Sequence, residues 1–218
     1  MLSAEDIVAM HDQRIRAWHQ QENPHEDASL SAHSAAASTA NELPAGWLRT
    51  LTLHHRANFD LWHIEDEARA PGATDAELAG VKRRIDTTNQ RRNDLVEKLD
   101  YALIAWLEER GLPNPTAPLN SEPPGLIIDR LSILALKIYH TEEEAMREDA
   151  PEGHARRNRE RLAILKEQRA DLADCLDALW RETIAGTRRF KLYRQLKMYN
   201  DPSLNPAIYR KQNAAEGR

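Results

Sequence analysis

The stretch VKRRIDTTNQRRNDLVEKLDYALIAWLEE, residues 81–109, decides the fold of this chain. At about 100° per residue its apolar side chains fall within roughly a third of a turn, which indicates the packing face of a helix. These side chains are Val81, Ile85, Leu95, Val96, Leu99, Leu103 and Trp106. A narrower arc beside them carries Asp86, Asn89, Asn93, Glu97 and Asp100. A surface helix normally places mixed charge opposite its core. Because this row of acids and amides lies beside the packing face instead, it predicts the lining of a functional site.

The same period predicts helices along most of the remaining chain, and no segment has the period of a strand. Ser3 and Asp6 resemble a capping box at the start of the first helix. The predicted helices are about 4–20, 44–70, 75–110, 125–147, 155–185 and a short one at 188–199. We therefore predict an all-α bundle of four long helices with additional N- and C-terminal helical segments.

Composition shifts suggest how the chain is divided. We expect an N-terminal helix over 1–20, a linker over 21–45, a helical bundle domain over 46–206 and a mobile tail over 207–218. The centre of the linker, SLSAHSAAASTA, is also compatible with a weak helix. Aromatic and basic residues over 193–202 predict a C-terminal strap on the bundle, with a lid over a site as the alternative.

Composition also excludes some functions. The chain has 218 residues, 30% of them charged, and a net charge of −5, which argues against nucleic-acid binding. No apolar run is long enough to span a membrane, and the N-terminus does not resemble a signal peptide. The lone Cys175 is expected to be a small buried residue. We expect a cytoplasmic protein, and a homodimer is compatible with packed helices.

Carboxylates at helical spacing suggest a metal site. Glu97 and Asp100 lie one turn apart, and Glu65 and Asp66 lie on the preceding helix. Magnesium and manganese prefer such oxygen ligands. The alternative is that these acids form a solvated face or a hydrogen-bonded network. The histidines at 54, 55 and 63 match no zinc spacing, so we do not predict a transition-metal site from them.

Candidate substrate-binding residues follow one face of the second helix: His55, Asn58, Trp62 and Arg69. This face begins apolar and becomes polar along its length. Polar groups on it are therefore predicted to point into the bundle, where they need partners. The alternative is a core anchored by Trp62 with a buried pair between Asp66 and Arg69.

The fourth helix adds basic residues. Ser121 is its expected N-cap, and Gly125 allows an anion to approach the backbone N–H groups there. Arg130 and Lys137 are candidates to clamp a phosphate, unless they pair with acids of the third helix. His140 is either a proton carrier or a structural residue. With Asn89 as a further substrate contact, we assign Asp86, Asn93 and His140 as candidate catalytic residues.

Four blocks of the sequence resemble the bacterial family called domain of unknown function 4254. They are NFDLWHIEDEAR (58–69), IDTTNQRRNDLVEKLD (85–100), LNSEPPGLIIDRLSILALKIYH (119–140) and YRQLKMYNDPSLNP (193–206), in the order of the family. Pro123 departs from the expected Thr. The resemblance implies a helical protein whose gene lies near genes for surface-polysaccharide synthesis and glycosyltransferases. No reaction is assigned to the family.

A second resemblance is to the MazG-type all-α nucleotide pyrophosphohydrolases, which hold magnesium on two acidic helices. Glu97 and Asp100 match the second of their two motifs. Glu65 and Asp66 match only part of the first, since Arg69 stands where an acid belongs. The resemblance implies a metal role for Glu97 and Asp100.

Two functions are compatible with these patterns. One is a divalent-metal-dependent enzyme that acts on a phosphate-bearing metabolite, a nucleotide or nucleotide sugar, by attack of metal-bound water on phosphorus. The other is a non-catalytic helical adaptor in glycan assembly, whose polar rows are hydrogen-bond networks that specify the fold.

Overall fold

The computed structural model describes residues 3–20, 43–196 and 203–206. Within these ranges the chain forms five helices and no strand: α1 (Ala4–Gln20), α2 (Trp47–Glu67), α3 (Asp75–Glu108), α4 (Pro124–Met146) and α5 (His154–Ile184). The predicted all-α fold with four long helices and an N-terminal helix is confirmed. Residues 21–42 and 207–218 lie outside the described residues, and the proposed division into domains stays a prediction.

Local sequence signals explain where two helices begin. At α1, the Ser3 hydroxyl accepts from the backbone N–H of Asp6 at 3.3 Å. At α3, Thr74 and Glu77 form a reciprocal capping box, in which each side chain accepts from the other residue's backbone N–H. Such caps satisfy N–H groups that have no partner inside the helix.

The core lies around the C-terminal halves of α3 and α5 and the N-terminal halves of α2 and α4. Its fully buried members include Leu51, Leu99, Leu103, Ile128, Leu131 and Leu176. A second, smaller cluster joins Ile15 and Trp18 of α1 to Phe59, Ala135 and Leu136. The helix α1 therefore packs onto the bundle and contributes to both clusters.

Helices α2 and α3 run antiparallel. The indole N–H of Trp47, at the start of α2, donates to the Leu99 carbonyl at 3.3 Å. At the other end, Glu67 pairs with Arg84 at 2.5 Å. This register decides which side chains of the two helices lie at the same level.

The structure corrects two predictions about the described residues, namely the C-terminal helix at 188–199 and the burial of Cys175. Residues 188–196 of the expected C-terminal helix are not helical, because Arg189 exchanges backbone hydrogen bonds with the loop at Pro118 and Asn120. These contacts, and the burial of the Phe190 side chain, outweigh the local preference for helix. Cys175 is exposed; helical periodicity placed it on α5 but left its orientation open.

None of the described helices combines the length and the apolar character that crossing a membrane requires.

Candidate functional site

The antiparallel register separates the two pairs of acids that the sequence placed in one metal site. Glu65 and Asp66 lie near the end of α2, beside the first part of α3. Asp100 lies at the level of Trp47, at the opposite end of α2. At 1.5 Å per residue, Asp66 and Trp47 are roughly 28 Å apart along the helix. Among the described residues the four acids form no common cluster that could hold an ion. Helical periodicity assigns a face but not a level, so the single four-carboxylate site is a wrong prediction.

A pocket of about 330 Å³ lies between α2, α3 and α4. Its lining consists of Asn58, Leu61, Trp62, Glu65, Asp66, Arg69, Arg92, Ile133 and Leu136. Five of these residues, Asn58, Trp62, Glu65, Asp66 and Arg69, are ones that the sequence nominated. The pocket therefore brings together five of the six nominated α2 residues, but not His55 and not the nominated residues of α3.

Charged groups at the mouth of this pocket are partly paired. The Arg69 guanidinium contacts the Glu65 carboxylate at 3.1 Å, and both side chains are substantially exposed. Asp66 is exposed as well, so the alternative of a buried pair between Asp66 and Arg69 is wrong. The two carboxylates remain accessible to a ligand that enters the pocket.

The inner wall of the pocket is fixed by Asp129 of α4. One of its carboxylate oxygens accepts from Arg92 Nε at 2.7 Å, from His54 Nε2 at 2.8 Å and from Asn58 Nδ2 at 3.0 Å. The other oxygen pairs with Arg92 Nη2. Burial alone would raise the pKa of Asp129, but the bonds from Arg92 and His54 outweigh it and hold the pKa well below its ordinary value. Asp129 is therefore a buried anion that orients Arg92 and Asn58.

His55 is a structural residue rather than the substrate contact that the sequence suggested. It is fully buried, and its Nε2 lies 3.1 Å from the His11 carbonyl, which can only accept a hydrogen bond. Its Nδ1 must then accept from the Ser132 hydroxyl, 2.7 Å away. Burial lowers the pKa of His55 to about 3, so the ring is neutral at pH 7. Helical periodicity placed His55 on the face of α2 that points into the bundle, but its depth within the bundle excludes it from the pocket.

Asp100 and Glu97 each accept a hydrogen bond from a backbone N–H group. Asp100 accepts from the Gly125 N–H at 2.6 Å, near the N-terminus of α4. Burial raises the pKa of Asp100 to about 7; the bond from Gly125 lowers it and the neighbouring Glu97 raises it. Glu97 accepts from the Gln195 N–H at 2.6 Å, which ties the C-terminal strap to α3. The Asp100 carboxyl group of the chain itself therefore occupies the place at Gly125 where the sequence predicted an external anion.

This arrangement also corrects the start of α4. Pro123 is the N-cap and makes no side-chain capping bond, so Ser121 is not the cap that the sequence suggested. A Cβ atom on Gly125 would lie 2.7 Å from the Asp100 carboxylate. Glycine is therefore required here by close approach rather than by its torsion angles.

The other nominated residues do not line the pocket. Asp86 pairs with Lys82 and faces a separate surface groove with Gln90 and Arg91. Asn89 accepts from Arg92 at 3.4 Å, which places it just behind the pocket wall.

Arg130 and Lys137 of α4 and Asn93 of α3 also lie outside the pocket. Arg130 pairs at 3.0 Å with Glu122, in the loop before α4, and not with an acid of α3. Lys137 is exposed. Asn93 Nδ2 is buried, and no described residue accepts a hydrogen bond from it.

His140 stacks on Trp62, with ring centroids 5.0 Å apart and an interplanar angle of 8°. It belongs to a cluster with His19 and His63, in which a ring nitrogen of each residue lies within 4.8 Å of those of the other two. Burial lowers the pKa of His19; the bond to Ile15 raises it, while His140 and His63 lower it further. Sequence reasoning missed His19, and it set His63 aside for want of a zinc spacing, because the three residues come from three different helices.

Sequence reasoning also missed Arg92 and did not assign a role to Asp129. A signal for Asp129 was present, since it is the one acid in the apolar run LIIDRLSILAL at 126–136. A buried carboxylate needs a cationic partner. The arginines of the preceding helix, α3, were the candidates, and Arg92 is the one that pairs with Asp129.

The sequence matches, over residues 48–192, the family described as protein of unknown function DUF4254. The match covers well over half of the chain. The chain belongs to the DUF4254 family. No curated protein and no solved structure gives a significant match. The matched residues include all of the pocket and the Asp129 network, whereas His19 of the histidine cluster lies before them.

Proposed function

We propose that this protein binds a small phosphate-bearing metabolite, a nucleotide or nucleotide sugar, as its magnesium or manganese complex. The supporting observation is the pocket between α2, α3 and α4, where two accessible carboxylates lie beside two guanidinium groups and an aromatic wall. Its volume is within the range of small-molecule sites, at about 300–1,000 Å³.

The charges of the pocket favour a metal complex over a free anion. Arg69 and Arg92 are opposed by Glu65, Asp66 and the buried Asp129. A bare phosphate would meet more negative than positive charge there. A divalent cation removes this repulsion, and magnesium is commonly held by one or two carboxylates together with the phosphates of its substrate.

The remaining lining suits the rest of such a ligand. Leu61, Trp62, Ile133 and Leu136 provide an apolar wall for a base or sugar ring. In this proposal Glu65 and Asp66 contact the cation, and Arg69 and Arg92 contact phosphate. Asp129 positions Arg92 by occupying its Nε and Nη2, so its role is indirect.

Hydrolysis of a phosphoanhydride is the reaction we assign to this complex. The oxygen of a water molecule bonds to phosphorus, the bridging P–O bond breaks, and the proton passes to solvent. We place this activity in the cytoplasm and connect it with surface-polysaccharide metabolism, the context implied by the family resemblance. A homodimer is part of the same proposal.

The test is a thermal-unfolding panel of nucleoside diphosphates, nucleoside triphosphates, nucleotide sugars and sugar phosphates, each with and without MgCl2 or MnCl2. A ligand at 100 times its Kd adds about 2.7 kcal/mol, which raises Tm by roughly 5–10 °C in a chain of this size. The stabilising ligand is then incubated with the protein, and its products are followed by phosphorus NMR.

Glu65→Gln and Asp66→Asn test the assignment of the cation. Both are expected to remove the metal-dependent part of the Tm shift. Glu67→Gln is the matched control, because Glu67 lies on the same helix outside the pocket and pairs with Arg84. No Tm shift with any ligand and metal, or equal shifts in all three variants, contradicts the proposal.

A non-catalytic adaptor in glycan assembly is the second candidate. The observation that favours it is that Asp100 and Glu97 bind backbone N–H groups of the chain itself. Under this alternative, ligand binding is absent while truncation of either acid lowers stability. Ligand-dependent Tm shifts therefore separate the two candidates.

A further inference from the structure

We propose that His19, His63 and His140 form a transition-metal site, with zinc as the ion that suits it best. The three residues come from α1, α2 and α4, and one ring nitrogen of each lies within 4.8 Å of those of the other two. This site is separate from the pocket above and uses nitrogen instead of oxygen ligands. The two share only Trp62, which lines the pocket and stacks on His140.

Hydrogen bonds fix which nitrogen each ring presents. His19 Nδ1 lies 2.9 Å from the Ile15 carbonyl, and His63 Nδ1 lies 2.8 Å from the Phe59 carbonyl. His140 Nδ1 lies 2.9 Å from the Glu143 carboxylate. Since these oxygens only accept, each Nδ1 carries the hydrogen, and in the neutral ring each Nε2 keeps its lone pair.

Two of these three Nε2 lone pairs lack partners. The Nε2 atoms of His19 and His140 are buried, and no described residue forms a hydrogen bond with either. A buried polar atom without a partner is costly, and a metal ion would satisfy both at once. Metal-bound histidines commonly donate their other N–H to a carbonyl or carboxylate, which is the arrangement at all three rings.

Neighbouring aromatic rings hold the imidazoles in place. Tyr139 stacks on His19 at 4.5 Å between centroids, and Phe59 contacts both His19 and His63 at 4.9 and 4.3 Å. Nitrogen ligands at about 2.0–2.1 Å from zinc stand roughly 3.3 Å apart. The rings therefore need only small shifts to converge on an ion.

The donor set also indicates the class of site. Three imidazoles favour zinc or a similar borderline ion over magnesium. They leave a fourth tetrahedral position for water or a ligand, which is typical of catalytic zinc sites rather than closed structural ones. All three histidines are partly exposed, so an ion can enter from solvent.

The experiment is a calorimetric titration of tag-free, chelator-stripped protein with ZnCl2 in the absence of nucleotides. We expect saturable binding of one ion per chain. His19→Gln, His63→Gln and His140→Gln should each weaken binding at least tenfold. Glu143→Gln, which removes the charge of the carboxylate that anchors His140 Nδ1, should weaken binding within the 10–100-fold range known for such partners.

His154→Gln is the matched control, since His154 pairs with Glu144 outside the cluster and should bind zinc like the wild type. Absence of a one-site isotherm, or equal affinities in the triad variants and His154→Gln, overturns the proposal. Cobalt provides a measurement that needs no variant: the wild-type chain should give the visible bands of nitrogen-ligated tetrahedral Co²⁺. Absence of these bands also overturns it. Because no phosphate ligand is present, failure here leaves the metabolite proposal to its own test.

Discussion

Two buried aspartates, Asp129 of α4 and Asp100 of α3, have pKa values that are shifted in opposite directions. Asp129 is paired with Arg92 and His54, and its pKa lies well below the ordinary value. Asp100 meets a backbone N–H and the like charge of Glu97, and its pKa is raised to about 7. Their exposed fractions are similar, 6% and 2%. Partners, rather than burial alone, therefore decide which carboxylate is ionised.

The two aspartates also differ in where they lie: Asp129 is beside the pocket, and Asp100 is at the contact between α3 and the start of α4. The region around Asp129 is charged, contacts the pocket and holds a guanidinium at its wall. The region around Asp100 joins α3 to the start of α4 without any cationic partner among the described residues. We therefore expect changes in the first region to alter ligand binding, and changes in the second to alter stability alone.

The largest effect is expected from Asp129→Ala. This variant leaves Arg92 without its counterion, and loss of one partner of a buried pair costs about 3–5 kcal/mol. Urea unfolding at pH 7 measures this loss of unfolding free energy. Glu122→Ala is the control, because it removes the partner of the exposed Arg130 and should cost at most about 1 kcal/mol. Equal losses in the two variants would show that the buried pair of Asp129 and Arg92 contributes no more to stability than the exposed pair of Glu122 and Arg130.

The pH dependence of stability should separate the two aspartates next. Asp100 has a folded pKa of about 7, above its ordinary value of 3.8. Between these values the folded chain keeps a proton that the unfolded chain has released, so stability falls as pH rises. We expect the wild type to lose on the order of 2–4 kcal/mol relative to Asp100→Asn between about pH 4 and pH 8.

Asp129 should show the opposite slope. Its folded pKa is lowered, so its contribution is present at neutral pH and is lost as the solution is acidified below the ordinary Asp value. Urea unfolding of wild type, Asp100→Asn and Asp129→Ala at stepped pH gives both profiles. Parallel profiles for the two variants would show that the aspartates do not differ in state.

Gly125→Ala tests the close approach at Asp100. The added Cβ would lie 2.7–2.8 Å from the carboxylate atoms, and such overpacking costs about 1–3 kcal/mol. Gly80→Ala is the matched control, because its Cβ would meet nothing within 4 Å. Gly80 lies in the second turn of α3, where alanine should stabilise the helix by about 0.5–1 kcal/mol. Two changes of the same sign would argue against a tight contact at Gly125.

The smallest effect is expected from Glu97→Gln. The amide oxygen still accepts from the Gln195 N–H, so stability at pH 7 should change by less than about 1 kcal/mol. The variant removes the like charge that raises the pKa of Asp100. The pH-dependent loss of stability should then move to lower pH, as measured by the same unfolding series. An unchanged midpoint would mean that Glu97 does not contribute to the raised pKa of Asp100.

The amino-acid sequence alone predicts the helices of this protein and their packing faces. Periodicity over 81–109 gave the packing face of α3, and local signals such as Thr74 with Glu77 gave the start of the helix. These properties depend on neighbours within a few positions, which is why they are legible in a linear chain. The nomination of five pocket residues on α2 follows from the same periodicity.

Tertiary structure alone decided which residues from different helices share a site. The antiparallel register of α2 and α3 placed Glu65 and Asp66 far from Asp100. The packing of α4 against α3 brought Asp129 to Arg92. The meeting of His19, His63 and His140 depends on three helices packing together. The level at which one helix crosses another is set by long-range packing, and no spacing within a single helix records it.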